Sequence, residues 1–398
     1  MSKDNLLICG AAFLRALGVG LVGVLFSLYL ATGGLDAARI GILIALGIAG
    51  NACGTFFVSF FADQLGRRKT LILLSGLTAL GGFGVSLFPR FLGMMLAVFF
   101  GMVNAMGRER GPMFTLEQAI LPQTAQANQR TQVLAWYNVL LDVGQAVGSL
   151  LGGLPFLLRQ RIGIAELASY QWAFSLYAGL GTLSFLLYMG LSPRVEIHGP
   201  TPWHKVSPQS RRILTRLCLL FGFDSLAGGF LPATLIAYWF FKRFGVGEQL
   251  LAPLFFAAHL ANALSYLGAA WISRRVGLVN TMVFAHLCAN LSLIAIPFSP
   301  TLKFAILLYL IRESLVEMDV PTRQSYVLAV VGEGERTIAA GVTNLTRLTA
   351  WIFGPGLAGL AMKGLSLSFP LFFGGGLKIL YDLSLYASFR NLKPPEER

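Results

Sequence analysis

The sequence predicts an all-α polytopic membrane protein of twelve transmembrane helices, arranged as two six-helix halves. Three observations predict this class. First, of 398 residues 55% are hydrophobic and only 12% are charged, with a mean hydropathy of +0.68; a soluble domain carries about a quarter charged residues. Second, the apolar residues form long continuous runs rather than the ~10-residue alternating segments of a membrane barrel. Helices are then the way to satisfy the backbone in lipid. Third, a polar, proline-containing connection at 192–212 divides the chain into equal halves.

Taken in order, the spans lie at 6–31, 40–62, 70–89, 91–120, 131–157, 169–191, 213–241, 249–272, 278–298, 301–329, 336–362 and 368–389. Each is close to or above the ~20 residues that cross a ~30 Å hydrocarbon core at 1.5 Å per residue. The first span lacks a small-residue cleavage site and exceeds a signal h-region, so it is expected to stay. Between the second and third stands Asp63-Gln64-Leu65-Gly66-Arg67-Arg68-Lys69, a tight hairpin whose three adjacent cations cannot lie in hydrocarbon. Twelve spans put both termini on one side. Of the 31 Lys and Arg, sixteen fall on that side, eight on the other and seven within spans. The positive-inside bias therefore predicts cytoplasmic termini in a cell (inner or plasma) membrane.

Composition also excludes. The net charge of +13 comes with no soluble basic domain, so it reads as loop topology and contact with anionic membrane lipids, not nucleic acid. Cys9, Cys53, Cys218 and Cys288 sit inside apolar runs without metal-ligand spacing. No disulfide, metal or cofactor is expected. No Gly-x-x-x-x-Gly-Lys-Ser/Thr loop is present, so the chain alone is not an ATP-driven pump. No nucleophile motif or His cluster points to an enzyme.

The domain reading is a six-helix bundle at 1–191, a cytoplasmic linker at 192–212 and a second bundle at 213–398. A shift of 206 residues aligns Gln118 with Gln324, Arg130-Thr131 with Arg336-Thr337 and Asn138 with Asn344, while a shift of 211 aligns Gly66 with Gly277 and Thr70 with Thr281. Such self-similarity marks an internal repeat.

Asp63, Gly66, Arg67 and Arg68, after two apolar helices and before a third, resemble the signature loop of the major facilitator superfamily of transporters. The resemblance covers nearly the whole chain. It implies two pseudo-symmetric six-helix halves, alternating access, a small-molecule substrate and a monomer. It also implies that the first, fourth, seventh and tenth helices surround a central cavity. The intramembrane charges fall there: Arg15; Arg108, Glu109, Arg110 and Glu117; Asp224; Arg312, Glu313, Glu317, Asp319 and Arg323. The middles of the third, sixth and ninth spans carry none. In the family the loop acid helps hold an inner gate, and a loop arginine pairs with an acid at the inner end of the fourth helix. The gating set implied here is Asp63, Gly66, Arg67, Arg68, Glu117 and Arg323. Arg275, in the matching loop of the second half, has no such acid.

Depth selects a second set. Arg15, Asp142, Asp224, Arg312 and Arg347 lie ~10–12 residues inside their spans, near the midplane where transporter sites occur. His259 is as deep. Pairing of Arg15 with Asp142, and of Asp224 with Arg312 or Arg347, is the structural alternative to a polar pathway. The pathway reading gives Arg15, Arg108, Arg110, Arg312, Arg347 and His259 as substrate-binding residues. It gives Asp142, Asp224, Glu313 and Glu317 as proton-coupling carboxylates, because low dielectric raises proton affinity. His286 reads instead as a hydrogen-bonding core residue. Arginine suits a carboxylate or phosphate, which favours a small organic anion; a lipophilic or cationic drug is the competitor. Gly144, Gly148, Gly152 and Gly153 resemble the antiporter motif of proton-driven exporters, with Ser149 replacing its proline. That favours efflux over uptake symport.

Overall fold

The computed structural model describes residues 3–87, 91–107, 111–121, 130–196, 207–318, 323, 327, 331 and 336–389, and among them the regular structure is helical with no strand. The helices are α1 Lys3–Thr32, α2 Ala37–Leu65, α3 Arg67–Leu87, α4 Phe91–Phe100, α5 Pro112–Ile120, α6 Arg130–Leu151, α7 Leu154–Ile162 and α8 Glu166–Met189. After the linker come α9 Pro208–Gly229, α10 Ala233–Phe244, α11 Glu248–Val276, α12 Leu278–Ala295, α13 Leu302–Val316, α14 Arg336–Trp351, α15 Phe353–Gly364 and α16 Phe369–Phe389.

Every expected span holds helix among its described residues, the tenth being described to Met318 and at 323 and 327, but several are broken where one continuous helix was expected. The fourth span holds α4 and α5, with 101–107 and 111 outside either helix. Gly101 and Gly107 stand in that gap, Met102 and Gly107 take positive φ (51° and 79°), and Pro112 restarts the chain as a helix. The fifth span breaks at Gly152-Gly153 before Pro155, the seventh at Gly229 before Pro232, and the eleventh at Ile352 before Pro355. Proline cannot donate to the preceding turn, so a helix either kinks or restarts there. In lipid the freed backbone must find partners within the protein. Asn51 of α2 supplies one, donating to the Met102 carbonyl at 2.7 Å.

Two compact units result: Met1–Gly199 with Pro232–Phe256, and Pro200–Leu231 with Ala257–Arg398. In the first, α1 packs on α6, α8 and α10, and α3 packs on α8 and α4. In the second, α9 packs on α14, α15 and α16, and α12 on α16 and α13.

The faces of α3 run opposite to those of a soluble helix. Leu73, Leu80 and Leu87, seven apart, are 54%, 69% and 66% exposed, while Thr70, Ser75, Thr78, Gly81 and Gly82 are buried. Large apolar groups outward and small groups inward suit a lipid solvent, where association depends on close backbone approach. A Cβ on Gly82 would meet Ala178 of α8 at 3.0 Å, and one on Gly181 would meet Ala79 at 3.1 Å.

Candidate functional site

In the first unit one carboxylate joins four helices. Arg15 of α1 donates to Glu117 of α5 from both terminal nitrogens, at 3.1 and 2.6 Å. The hydroxyls of Tyr137 (α6) and Tyr188 (α8) each donate to Glu117 at 2.6 Å. Arg15 also donates to the Tyr188 hydroxyl. Glu117 is wholly buried, so its charge is balanced by a cation and its lone pairs are filled, as burial of an ion requires. This corrects the expected gate contact: the partners of Glu117 are Arg15, Tyr137 and Tyr188, not Arg67. The reason is the break in the fourth span, which restarts the helix at Pro112 and turns Glu117 toward α1. Beside the pair lies a cavity of about 30 Å³ bordered by Arg15, Asn51, Thr78, Asn104 and Tyr177, room for one or two waters. Asp142, on α6, is partly buried and has contacts of its own. Arg108 and Arg110 lie outside the described residues.

The signature hairpin is a separate device in the same unit. Gly66 caps α2 with φ +96°, a left-handed backbone that favours glycine. Arg67 donates its Nε to Asp63 at 2.7 Å. Two backbone N–H groups at the start of α3, of Arg67 and Arg68, donate to the Glu196 carboxylate at 2.6 and 3.2 Å, a favoured place for an anion. Arg68 reaches the Met189 carbonyl at 2.7 Å. The second half repeats the backbone without the acid. Gly277 has φ +88° and accepts from the Thr281 hydroxyl at 2.8 Å, as Gly66 accepts from Thr70 at 2.9 Å. Arg275 there stacks on Trp271, 3.9 Å from its centroid.

Elsewhere in the first unit α10 and the start of α11 are fastened down. Ser27 of α1 donates its hydroxyl to the Thr234 carbonyl at 2.6 Å, and its N–H to the Thr234 hydroxyl at 3.0 Å. Glu248 receives Arg159 and, at 3.0 Å, the Tyr170 hydroxyl.

In the second unit Asp224 of α9 accepts from Lys378 of α16 at 2.7 Å and lies 4.0 Å from Arg347 of α14. Arg347 also donates to Ser225 at 3.1 Å. Of the two expected partners of Asp224, Arg347 is therefore near. Arg312 is not among them: it is paired with its neighbour Glu313, which also accepts from Asn262 of α11 at 3.0 Å. Behind Lys378 stand His286 and Asp382. Glu317 and Arg323 are buried, with Arg323 5.5 Å from the Phe221 ring centroid, and His259 is partly buried on α11.

Sequence reasoning passed over Lys378, Asp382, Tyr137 and Tyr188, and set His286 aside. The depth criterion that selected Arg15 reaches Lys378 as well, and Asp382 follows it by one helical turn on the same face. Nothing in a hydropathy pattern distinguishes the two tyrosines.

Long apolar helices, outward leucines and buried ion pairs between helices define a multi-pass integral membrane protein, and the family its sequence matches makes it a carrier rather than an enzyme. The chain belongs to the Major Facilitator Superfamily, whose family profile matches residues 8–355. A curated relative, the uncharacterized membrane protein YJR124C of Saccharomyces cerevisiae, is 25% identical, with 98% of this chain and 94% of that protein covered. Among solved structures, the nucleoside transporter NupG superposes with a TM-score of 0.75 at 16% identity, covering 98% of this chain and all of that one. A D-xylose-proton symporter gives a TM-score of 0.75 at 14% identity, covering 96% and 97%. These likenesses establish the fold.

Proposed function

We propose that the chain is a proton-coupled secondary transporter of a small, polar, uncharged solute. In this reading it works by alternating access between bundles 1–191 and 213–398, joined by the linker 192–212, as a monomer in a cell membrane with cytoplasmic termini. The observation that carries the solute class is the pairing of four described intramembrane cations. Arg15 is matched by Glu117, Arg312 by Glu313, and Lys378 and Arg347 share Asp224. A guanidinium already facing a carboxylate has no net charge to offer a substrate anion, and removing that partner would strand a buried charge. Among the described residues, the uncharged polar groups beside these pairs are amides and hydroxyls: Asn51, Asn104 and Thr78 at the first-unit cavity, and Asn262 beside Glu313. Such groups suit hydroxyl- or amide-bearing solutes. Discontinuous helices support the same region, since transporter sites form where helices are interrupted.

Protons are the proposed coupling ion, with Asp142, Asp224, Glu313 and Glu317 as candidate carriers. Export in exchange for protons is the direction favoured by the glycine spacing of α6.

The test is purified protein in liposomes, screened for thermal stabilisation by neutral polyols, nucleosides, small amides, organic anions and lipophilic cations, with proton flux recorded for each hit. A neutral polar solute that stabilises the protein and moves protons supports the reading. Stabilisation by an organic anion or a lipophilic cation instead overturns the solute class, and counterflow with the proton gradient reversed decides direction.

A further inference from the structure

Four ionisable side chains of the second unit form one line of contacts from α9 through α16 to α12. Lys378 Nζ donates to Asp224 Oδ1 at 2.7 Å and stands 3.5 Å from His286 Nε2. His286 Nδ1 lies 2.7 Å from Asp382 Oδ1, and Asn290 donates to Asp382 Oδ2 at 2.9 Å. All five residues are at most 7% exposed.

The donors fix where protons can sit. Both oxygens of Asp382 face nitrogens, and the Asn290 amide can only donate there. A carboxylate that accepts on both sides assigns the imidazole hydrogen to Nδ1. Nε2 then carries no proton, and it faces an ammonium. With the imidazole neutral, Asp224 and Asp382 stand against Lys378 and Arg347, with the buried Arg323 a further cation acting on Asp224. Among the described residues no other counter-ion contacts the ring. Tyr381 of α16 presents its ring 6.1 Å away, edge to face. The only other titratable side chain of α12, Cys288, is exposed. On α13, which also packs against α12, the buried charges Arg312 and Glu313 pair with each other.

Two ion pairs suffice to lock helices together. An imidazole between them adds the one side chain whose ordinary titration falls near neutral pH. We propose that His286 is a proton-binding residue of this transporter, controlled by the position of Lys378. While the ammonium leans on Nε2, the ring stays neutral. When Asp224 draws the ammonium away, Nε2 takes a proton from solution, and Asp382 stabilises the imidazolium. Arg347 competes for Asp224, so movement of α14 decides which cation the carboxylate holds. This deepens the proton-coupled reading above and rests on it. It puts the proton one residue behind Asp224, on helices α12 and α16 rather than on the first, fourth, seventh or tenth span.

The chain has four histidines, at 198, 204, 259 and 286, so ring NMR of histidine-labelled protein in micelles resolves the question without a substrate. His286→Gln assigns the signal. The expected result is that the His286 ring signal changes with pH. In Lys378→Met its midpoint moves to higher pH, with about a tenfold or greater change in proton affinity, because the like charge is gone. Asp224→Asn, which frees Lys378 to turn on the ring, moves it the other way and serves if Lys378→Met does not fold. A His286 signal that first titrates when Lys378 is removed also supports the proposal. A signal flat with pH in wild type and in the variants overturns it, as does a midpoint that none of them moves. Failure here leaves the transport reading to the solute panel, and a silent panel leaves this titration standing.

Discussion

Glu117 receives four hydrogen bonds on two oxygens, from Arg15 twice, Tyr137 and Tyr188. Glu117→Gln keeps the shape and removes the charge, leaving the Arg15 guanidinium buried and uncompensated. Loss of one member of a buried pair costs about 3–5 kcal/mol. The variant is expected to unfold in denaturant well before wild type, by tryptophan fluorescence in micelles. Arg15→Met with Glu117→Met should cost less than either change alone, because no ion is stranded. Tyr188→Phe should cost about 1 kcal/mol, the worth of one buried hydrogen bond. Additive effects of Arg15 and Glu117 substitutions would mean that the two do not act as a pair. The sequence showed both residues as charges that hydrocarbon does not tolerate alone. It did not show that they meet. Their meeting depends on where the fourth span breaks and on two tyrosine hydroxyls, neither of which shifts an apolar average. Lys378 and Asp382 were legible by depth alone, being one turn apart on one face of the last span.

At the scale of the element, glycine spacing explains more of the packing than hydrophobicity does. A Cβ on Gly148 of α6 would run into the Leu17 backbone of α1, and one on Gly20 of α1 into the Gln145 carbonyl. The exporter-like spacing at Gly144, Gly148 and Gly152 is therefore a contact surface for α1, whichever direction the carrier works. Gly148→Val is expected to separate α1 from α6 and lower stability by several kcal/mol, since the opposing atoms are backbone and cannot yield. Gly179→Ala on α8, where nothing lies within 4 Å, should be neutral or raise stability by up to about 1 kcal/mol through helix propensity. Equal effects of the two changes on the unfolding midpoint would remove the packing argument. The repeat was legible at this scale: Gly66 with Thr70 and Gly277 with Thr281 share one helix-start geometry. The breaks within the fourth, fifth, seventh and eleventh spans were not. Their Gly and Pro residues were visible, but membrane helices tolerate both, and only tertiary partners such as Asn51 decide whether the backbone opens.

At the scale of the molecule, the seventh span belongs to two bodies. Its first helix, α9, lies in the second unit, while α10 and the start of α11 lie in the first, with the division after Leu231. Gly228, Gly229 and Pro232 make that division possible, because no continuous hydrogen-bonded ladder crosses it. In the first unit α10 buries Thr234 to Phe240 and packs on α1, with hydrogen bonds from Ser27 to Thr234 and from the Ala233 N–H to the Met106 carbonyl, while Glu248 at the start of α11 is held by Arg159 and Tyr170. In the alternating-access reading proposed above, some such contact is released in each cycle. The expectation is that Ser27→Cys with Thr234→Cys, in a background lacking Cys9, Cys53, Cys218 and Cys288, cross-links on mild oxidation. Turnover in liposomes should then stop and return on reduction, while thermal stability rises. Glu248→Gln should act oppositely, easing the opening and lowering the unfolding temperature. Full turnover by the cross-linked protein would show that α10 stays on α1 throughout the cycle, and the moving contact would then have to be sought at the signature hairpin, where Glu196 ties the start of the linker to α3.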